Sequence, residues 1–285
     1  MQIQWYPGHM NKAFRQMRED IKLIDLLIEL CDARIPAASR NPEIMSLSQG
    51  KERVILLNKS DLADPRATKG WMDYFAGEGI YAIAVDARAR KSLRTVDSIV
   101  EKAMENKRKR DERRGIRPRP VRCLVCGIPN SGKSTFINSY AGRAQARTGN
   151  KPGVTKGKQW IRPNRQLELL DTPGVLWPKF DDESVGFHLA AVGSIRDEVF
   201  EHTDLVVRLI EQVQAMYPHA LSDTYELDMK DGHTFLNEFA QRSGSLKSGG
   251  EPDLDRASRL LLTDFRSGKW GKLSLEWVTE RDTNG

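Results

Sequence analysis

The run Gly127-Ile-Pro-Asn-Ser-Gly-Lys133-Ser134 constrains this chain more than any other, because it fits G-x-x-x-x-G-K-[ST] without a mismatch. The apolar residues 121–126 precede it and residues 135–140 follow it, so the loop sits where a buried strand would feed a helix N-terminus. That context predicts a phosphate-binding loop. Glycines let backbone N–H groups close on phosphate oxygens, the helix dipole favours negative charge, and the Lys133 ammonium reaches the terminal phosphates. Asn130, Ser131, Gly132, Lys133, Ser134 and Thr135 are the candidate loop contacts, and the Ser134 hydroxyl is placed to hold Mg²⁺.

The remaining chain fits an α/β frame around that loop. Residues 21–31 are rich in Leu and Ile and end in Asp32-Ala-Arg-Ile-Pro36, as a buried strand leaving a sheet at a proline would. Residues 53–57 and 80–85 are the next two strands, with helices expected around 67–75 and 92–106. Strands separated by helices imply a mostly parallel sheet covered on both faces. After the loop, residues 159–162 and 166–170 form a hairpin around Pro163-Asn-Arg165. From Glu183 the periodicity becomes helical, with Leu205, Val206, Leu209, Ile210 and Val213 on one face, and a last helix spans 254–265. A length of 285 residues exceeds one ordinary domain, so we expect an α/β domain over 1–180 and a small helical domain over 181–285.

Residues 1–20 open on the aromatic turn Trp5-Tyr-Pro-Gly-His9-Met10, followed by an amphipathic helix from about Asn11, whose side chain is the expected cap. Read from the residues alone, His9 on a segment able to move is either a surface histidine, the reading favoured there, or one that enters a site. No apolar run reaches membrane-spanning length and the N-terminus lacks a signal-type core, which points to a cytoplasmic protein without a membrane partner. Cys31, Cys123 and Cys126 read as small core residues. Cys123 and Cys126 have C-x-x-C spacing, but in a strand an offset of three puts them on opposite faces, which argues against a metal or redox pair. The net charge is +6, and residues 107–122 hold nine Lys/Arg against two acids in what reads as a basic linker. Residues 142–165 hold seven Lys/Arg and no acid. Such clusters suit a polyanion, most simply RNA.

A phosphate loop leaves the base open, so Asn58-Lys59-Ser-Asp61 at a strand end becomes decisive. The Asp61 carboxylate can accept guanine N1–H and the exocyclic N2 amine, which adenine lacks, and adenine would leave it desolvated and unpaired. Asn58 addresses the other edge of the purine and the Lys59 stem lies over the ring. Asp171-Thr-Pro-Gly174 supplies a carboxylate for Mg²⁺ and a backbone N–H for the γ-phosphate, and Thr155 in the basic loop offers the metal a second hydroxyl. The order is anomalous. Ordinary GTPases place Asn-Lys-x-Asp after the phosphate loop, whereas here it comes first, which reads as a circularly permuted GTPase.

With these motifs in that order, the chain resembles the bacterial ribosome-biogenesis GTPase A family of the YlqF type along nearly its whole length. The match runs through Trp5 to Met10, Asp32-Ala-Arg-Ile-Pro36, Asn58 to Asp61, the phosphate loop, Pro152-Gly-Val-Thr155, Asp171 to Gly174 and Asp264-Phe-Arg-Ser-Gly268. The resemblance implies GTP hydrolysis in late maturation of the large ribosomal subunit, with rRNA and ribosomal proteins as partners of a monomer. Val175 stands where Ras-like enzymes carry a water-orienting glutamine, and the resemblance assigns that task to His9. It also matches Asn130 to the asparagine with which K⁺-stimulated GTPases hold the cation, the alternative being a loop-stabilising amide. The guanine-closing loop usually reads Ser-Ala, but this chain has Asp86-Ala87. The backbone contact to the base survives that change, while the Asp86 side-chain role stays open. An ATP-using P-loop enzyme and an RNA-binding module with a structural nucleotide are the competing readings.

Overall fold

The computed structural model describes residues 3, 5–142, 159–180, 182–228 and 231–279. The elements run α1 (Gly8–Asp20), β1 (Leu26–Asp32), α2 (Pro42–Leu47), β2 (Glu52–Asn58), α3 (Pro65–Gly77), β3 (Tyr81–Ala84), α4 (Thr95–Arg113), β4 (Val121–Gly127), α5 (Lys133–Ala141), β5 (Gln159–Ile161) and β6 (Leu167–Asp171). Among the described residues five α-helices follow: α6 (Glu183–Ala191), α7 (His202–Met216), α8 (Ala220–Tyr225), α9 (Gly232–Arg242) and α10 (Leu254–Ser267). The sheet order is β3-β2-β1-β4-β6-β5, and every neighbouring pair is parallel except β5 with β6. The strands that carry the motifs therefore share one C-terminal edge, where open α/β sheets bind ligands.

Alternation sorts the strands between two apolar layers. Leu26, Ile28, Val121, Cys123 and Val125 face the layer containing α4 and α5. Leu27, Leu124 and Cys126 face a cluster that includes Met10, Phe14 and Met17 of α1 and continues through Val175 into Phe187, Leu205, Phe235 and Phe265. Cys123 and Cys126 thus lie on opposite faces, and all three cysteines are free and buried.

Local chemistry sets several boundaries. Asp64 caps α3 by accepting from the N–H groups of Arg66 (2.7 Å) and Ala67 (3.4 Å), with Pro65 in the first turn. Asn41 caps the short helix α2, which sequence periodicity did not reveal, and its amide also donates to the Val175 carbonyl at 3.2 Å. Three expectations are corrected. Residues 21–23 form a short 3₁₀ turn and the first strand begins only at Leu26. Helix α1 starts at Gly8 after Pro7, and Asn11 lies inside it, its side chain accepting from the Tyr6 hydroxyl at 3.2 Å instead of capping. The basic stretch expected as a linker is helical as far as Arg113, because α4 continues through its first seven residues. Its far end is anchored: Arg119 makes two 2.8 Å bonds to Asp25, and Lys107 reaches the same carboxylate at 3.2 Å. Burial pushes the Asp25 carboxyl up, but these cations outweigh it and hold the group below the usual range.

Candidate nucleotide site

The phosphate loop closes between β4 and α5. Gly132 precedes the helix at φ +94°, and a Cβ there would lie 2.2 Å from Asn58 Nδ2, so only glycine allows the loop to approach β2 this closely. Asn130 adopts φ +57°, a left-handed conformation that asparagine tolerates better than most residues. Lys133 is buried, and its ammonium donates to the carbonyls of Ile128 (2.6 Å) and Gly127 (3.1 Å). Burial pushes its pKa down to about 8 against the pull of Asp171. An anion in the cradle would favour the charged form. Ser134 and Thr135 occupy the first turn of α5, where the helix dipole and open N–H groups face the loop.

Asp171 ends β6, paired in register with Val125 of β4, which places it beside the loop. It is buried, and its Oδ1 has no hydrogen-bond partner among the described residues. Burial pushes its pKa up to about 6, against Lys133 and the Thr172 backbone N–H. An orphaned carboxylate oxygen next to the phosphate loop fits a cation shared with phosphate oxygens. Among the described residues no group of three His, Cys, Asp or Glu side chains could by itself hold a metal ion. At Gly174 a Cβ would sit 2.8 Å from both Pro129 Cα and Lys133 Nζ. The turn is therefore pressed against the phosphate loop as tightly as backbone permits. Thr155 and the rest of 143–158 lie outside the described residues.

The segments expected to read the base meet the loop through Asn58. Its Nδ2 donates to the Ser131 carbonyl at 2.7 Å, and its Oδ1 accepts from the Ala87 N–H at 2.9 Å. One buried amide thus ties β2, the phosphate loop and the loop after β3 together. Lys59, left-handed at φ 60°, donates to Asp32 Oδ2 at 2.9 Å. Asp32 is also gripped by Arg34, through Nε at 2.9 Å and Nη2 at 2.8 Å. Burial pushes the Asp32 carboxyl up, but Arg34 and Lys59 outweigh it and hold it far below the carboxylate range. Asp61 and Asp86 lie on this edge and share the Arg88 guanidinium.

His9 is exposed in the first turn of α1. Its neighbour Met10 is buried, and the Met10 sulfur accepts from the Leu176 N–H at 3.4 Å, so α1 begins against the chain leaving the Asp171–Gly174 turn. Asn130 Nδ2 donates to the Gly193 carbonyl at 2.6 Å, just beyond α6, and Ser194 Oγ donates to the Pro129 carbonyl at 2.8 Å. Sequence reasoning missed this docking of the phosphate loop on the 193–194 turn. Nothing in the local pattern of those two residues marks them. It also missed Arg88, although its place directly after Asp86-Ala87 was a usable signal.

A parallel sheet whose C-terminal edge presents a phosphate loop, an Asp-Thr-Pro-Gly turn and an Asn-Lys-Ser-Asp segment, the last borne on strands that precede the loop in the chain, defines a circularly permuted P-loop GTPase. The model of the 50S ribosome-binding GTPase family matches residues 122–238. Ribosome biogenesis GTPase A of Priestia megaterium is 44% identical, covering 99% of each chain, and that of Thermotoga maritima is 34% identical over 96% of this chain and 94% of its own. The GNP-bound crystal structure of YlqF from T. maritima superposes with a TM-score of 0.65 at 30% identity, covering 93% of this chain and 98% of that one. A GDP-bound YlqF structure gives 0.67 at 29% identity, covering 92% and 99%. The chain belongs to the ribosome biogenesis GTPase A family.

Proposed function

We propose that this protein binds a maturing large ribosomal subunit in the cytoplasm as a monomer in its GTP form, contacts rRNA and ribosomal proteins, and leaves after hydrolysing GTP. The observation that carries the guanine reading is the Asn58 bridge, which ties Ser131 of the phosphate loop to Ala87 on the base-reading edge. In this reading residues 1–180 hold the nucleotide and residues 181–285 form the helical partner domain. Ser131, Gly132, Lys133, Ser134 and Thr135 bind phosphates, and Gly174 adds a backbone N–H at the γ-phosphate. Asn58, Lys59, Asp61, Asp86 and Ala87 surround guanine. Ser134, Thr155 and Asp171 hold Mg²⁺, which when bound neutralises charge developing on the phosphates.

No glutamine follows Gly174, and Val175 is fully buried, so water orientation falls to His9, presented from the exposed first turn of α1 and brought to the nucleotide when the subunit binds. Asn130 orients its amide through the Gly193 carbonyl, and the resemblance assigns it to K⁺. The RNA contact rests on charge left over after internal pairing. Lys107 and Arg119 are engaged by Asp25, whereas Arg108, Arg113, Arg114 and Arg117 are exposed with no ion pair among the described residues.

The test is GTP turnover in K⁺ and in Na⁺, with and without immature large subunits. Turnover should rise with subunits and fall in Na⁺, and His9→Ala should lose the stimulated rate while keeping GDP affinity. Equal turnover with and without subunits sinks the activation mechanism. Tighter binding of ADP than GDP would remove the guanine assignment. A subunit affinity independent of salt would remove the basic surface as an RNA contact.

A further inference from the structure

Arg88 joins the two acidic residues of the base-reading edge. Its Nη2 donates to Asp61 Oδ2 at 2.5 Å and to Asp86 Oδ2 at 3.3 Å, and its Nε donates to Asp86 Oδ1 at 3.0 Å. The Arg88 backbone N–H also reaches Asp86 Oδ1 at 2.9 Å, and the Asp86 N–H donates to Ser92 Oγ at 2.8 Å. The Asp86 backbone is therefore pinned to Ser92, and its carboxylate, held by the backbone N–H and the guanidinium of Arg88, directs that guanidinium onto Asp61. Two carboxylates within reach of one guanidinium repel each other when it is gone. Asp61 would be the one to turn, since its Oδ1 is buried without a partner among the described residues and Arg88 holds its Oδ2.

We propose that Arg88 is a positioning residue for guanine recognition: bridging Asp61 to Asp86, it offsets their repulsion and fixes the Asp61 carboxylate plane so that both oxygens can meet the N1–H and N2 amine of the base. The proposal rests on the assignment of Asp61 to guanine. Sharing is chemically feasible, because an ionised carboxylate offers about four lone-pair sites and Arg88 takes one of them. It also gives the Asp86 side chain a role. The Arg two positions later neutralises this acid. The acid and the arginine act as one unit, and neither substitution alone is neutral. An isolated exposed ion pair would matter little, but this one sets the direction of a recognition group.

The experiment is a fluorescent-nucleotide competition titration of the full chain with GDP and IDP, the latter lacking the N2 amine, with thermal melting to check folding. Arg88→Ala should weaken GDP roughly three- to tenfold, as for loss of one charge-assisted contact, and lower the GDP/IDP preference. Arg88→Lys should recover part of the loss, and the double variant Asp86→Ser/Arg88→Ala most of it, because the repelling carboxylate is then absent. Unchanged or tighter GDP binding by Arg88→Ala overturns the proposal, and so does equal weakening of GDP and IDP that the double variant fails to restore. Asp61→Asn separates the two levels. If it leaves GDP affinity intact, the guanine assignment itself is wrong, whereas loss of GDP binding there beside a silent Arg88→Ala refutes only the role of Arg88.

Discussion

Replacing Asp171 with asparagine should make the protein more stable and less able to use its metal. Asp171 is buried, one of its oxygens has no partner among the described residues, and burial outweighs Lys133 and the Thr172 N–H in moving its pKa from 3.8 to about 6. That displacement corresponds to about 3 kcal/mol of preference for the neutral carboxyl. The sign follows from linkage. A carboxyl whose folded pKa is raised contributes stability that is fully present below pH 3.8 and is lost as pH rises through about 6. At pH 7.5 the folded protein therefore bears the whole penalty, and Asp171→Asn, which keeps the shape and removes the charge, relieves it. About 3 kcal/mol is a ceiling, because Lys133, already pushed down to about 8, loses its counter-charge in the variant. Thermal melting of both proteins in EDTA at pH 4 and pH 7.5 checks this. The variant should be the more stable at pH 7.5, by a thermal shift of up to roughly 6–12 °C at 2–4 °C per kcal/mol, and the gain should shrink towards pH 4. Its Mg²⁺-dependent gain in GTP affinity should disappear. Equal gains at both pH values, or a loss at pH 7.5, would refute the assignment of Asp171 as a buried, strained carboxylate.

Asn58→Ala removes both bonds of the bridge and leaves the Ser131 carbonyl and Ala87 N–H unpaired. It should destabilise by about 1–3 kcal/mol per stranded group in urea unfolding and weaken GDP. Gly174→Ala places a methyl 2.8 Å from the Pro129 backbone, an overpacking worth about 1–3 kcal/mol. Calorimetric titration should show GTP affinity falling more than GDP affinity, since only the former uses the γ-phosphate contact. Ser194→Ala deletes the donor to the Pro129 carbonyl. Amide exchange at Asn130 to Gly132 should accelerate about fivefold, the equivalent of about 1 kcal/mol for one hydrogen bond.

The legible part of the molecule is what short-range chemistry dictates. Gly127 to Ser134 announces its strand, its turn and its helix, because phosphate binding at a helix N-terminus demands them in that order. Asn58 to Asp61 was legible as a polar segment at a strand end, and β2 does end at Asn58. The face assignment of Cys123 and Cys126 follows from a period of two. The part that was not legible depends on residues far apart in sequence. Asn41 caps a six-residue helix too short to show periodicity and holds Val175 across the fold. Residues 21–23 are as apolar as a strand but turn, because the chain must pass from α1 into the sheet. The basic residues 107–113 read as a linker on composition, yet their 3.6-residue continuation of α4 satisfies backbone bonds that a linker would leave to water.

The two ends of the nucleotide cradle converge on consecutive residues of α10. At the base end, Lys59 binds Asp32, Asp32 binds Arg34, and the Arg34 guanidinium lies 5.2 Å over the Phe265 ring and 3.5 Å from its carbonyl. At the phosphate end, Asn130 and Pro129 are bonded to Gly193 and Ser194, and the Arg266 guanidinium holds that turn by donating to the carbonyls of Ala191 (3.0 Å) and Ala190 (2.8 Å). The tail beyond α10 adds direct bonds to the base side, from the Leu273 N–H to the Leu62 carbonyl at 3.0 Å and from the Asp64 N–H to Ser274 Oγ at 3.1 Å. Movement of Pro129–Asn130 must break its bonds to the 193–194 turn or carry the turn along, and Arg266 passes that choice to α10. Movement of Lys59 reaches the same helix one residue earlier. The chain leaving Gly174 is thus one of several links between the phosphate-loop edge of the sheet and the helices among the described residues, and the others are side-chain and backbone networks that sequence adjacency does not reveal.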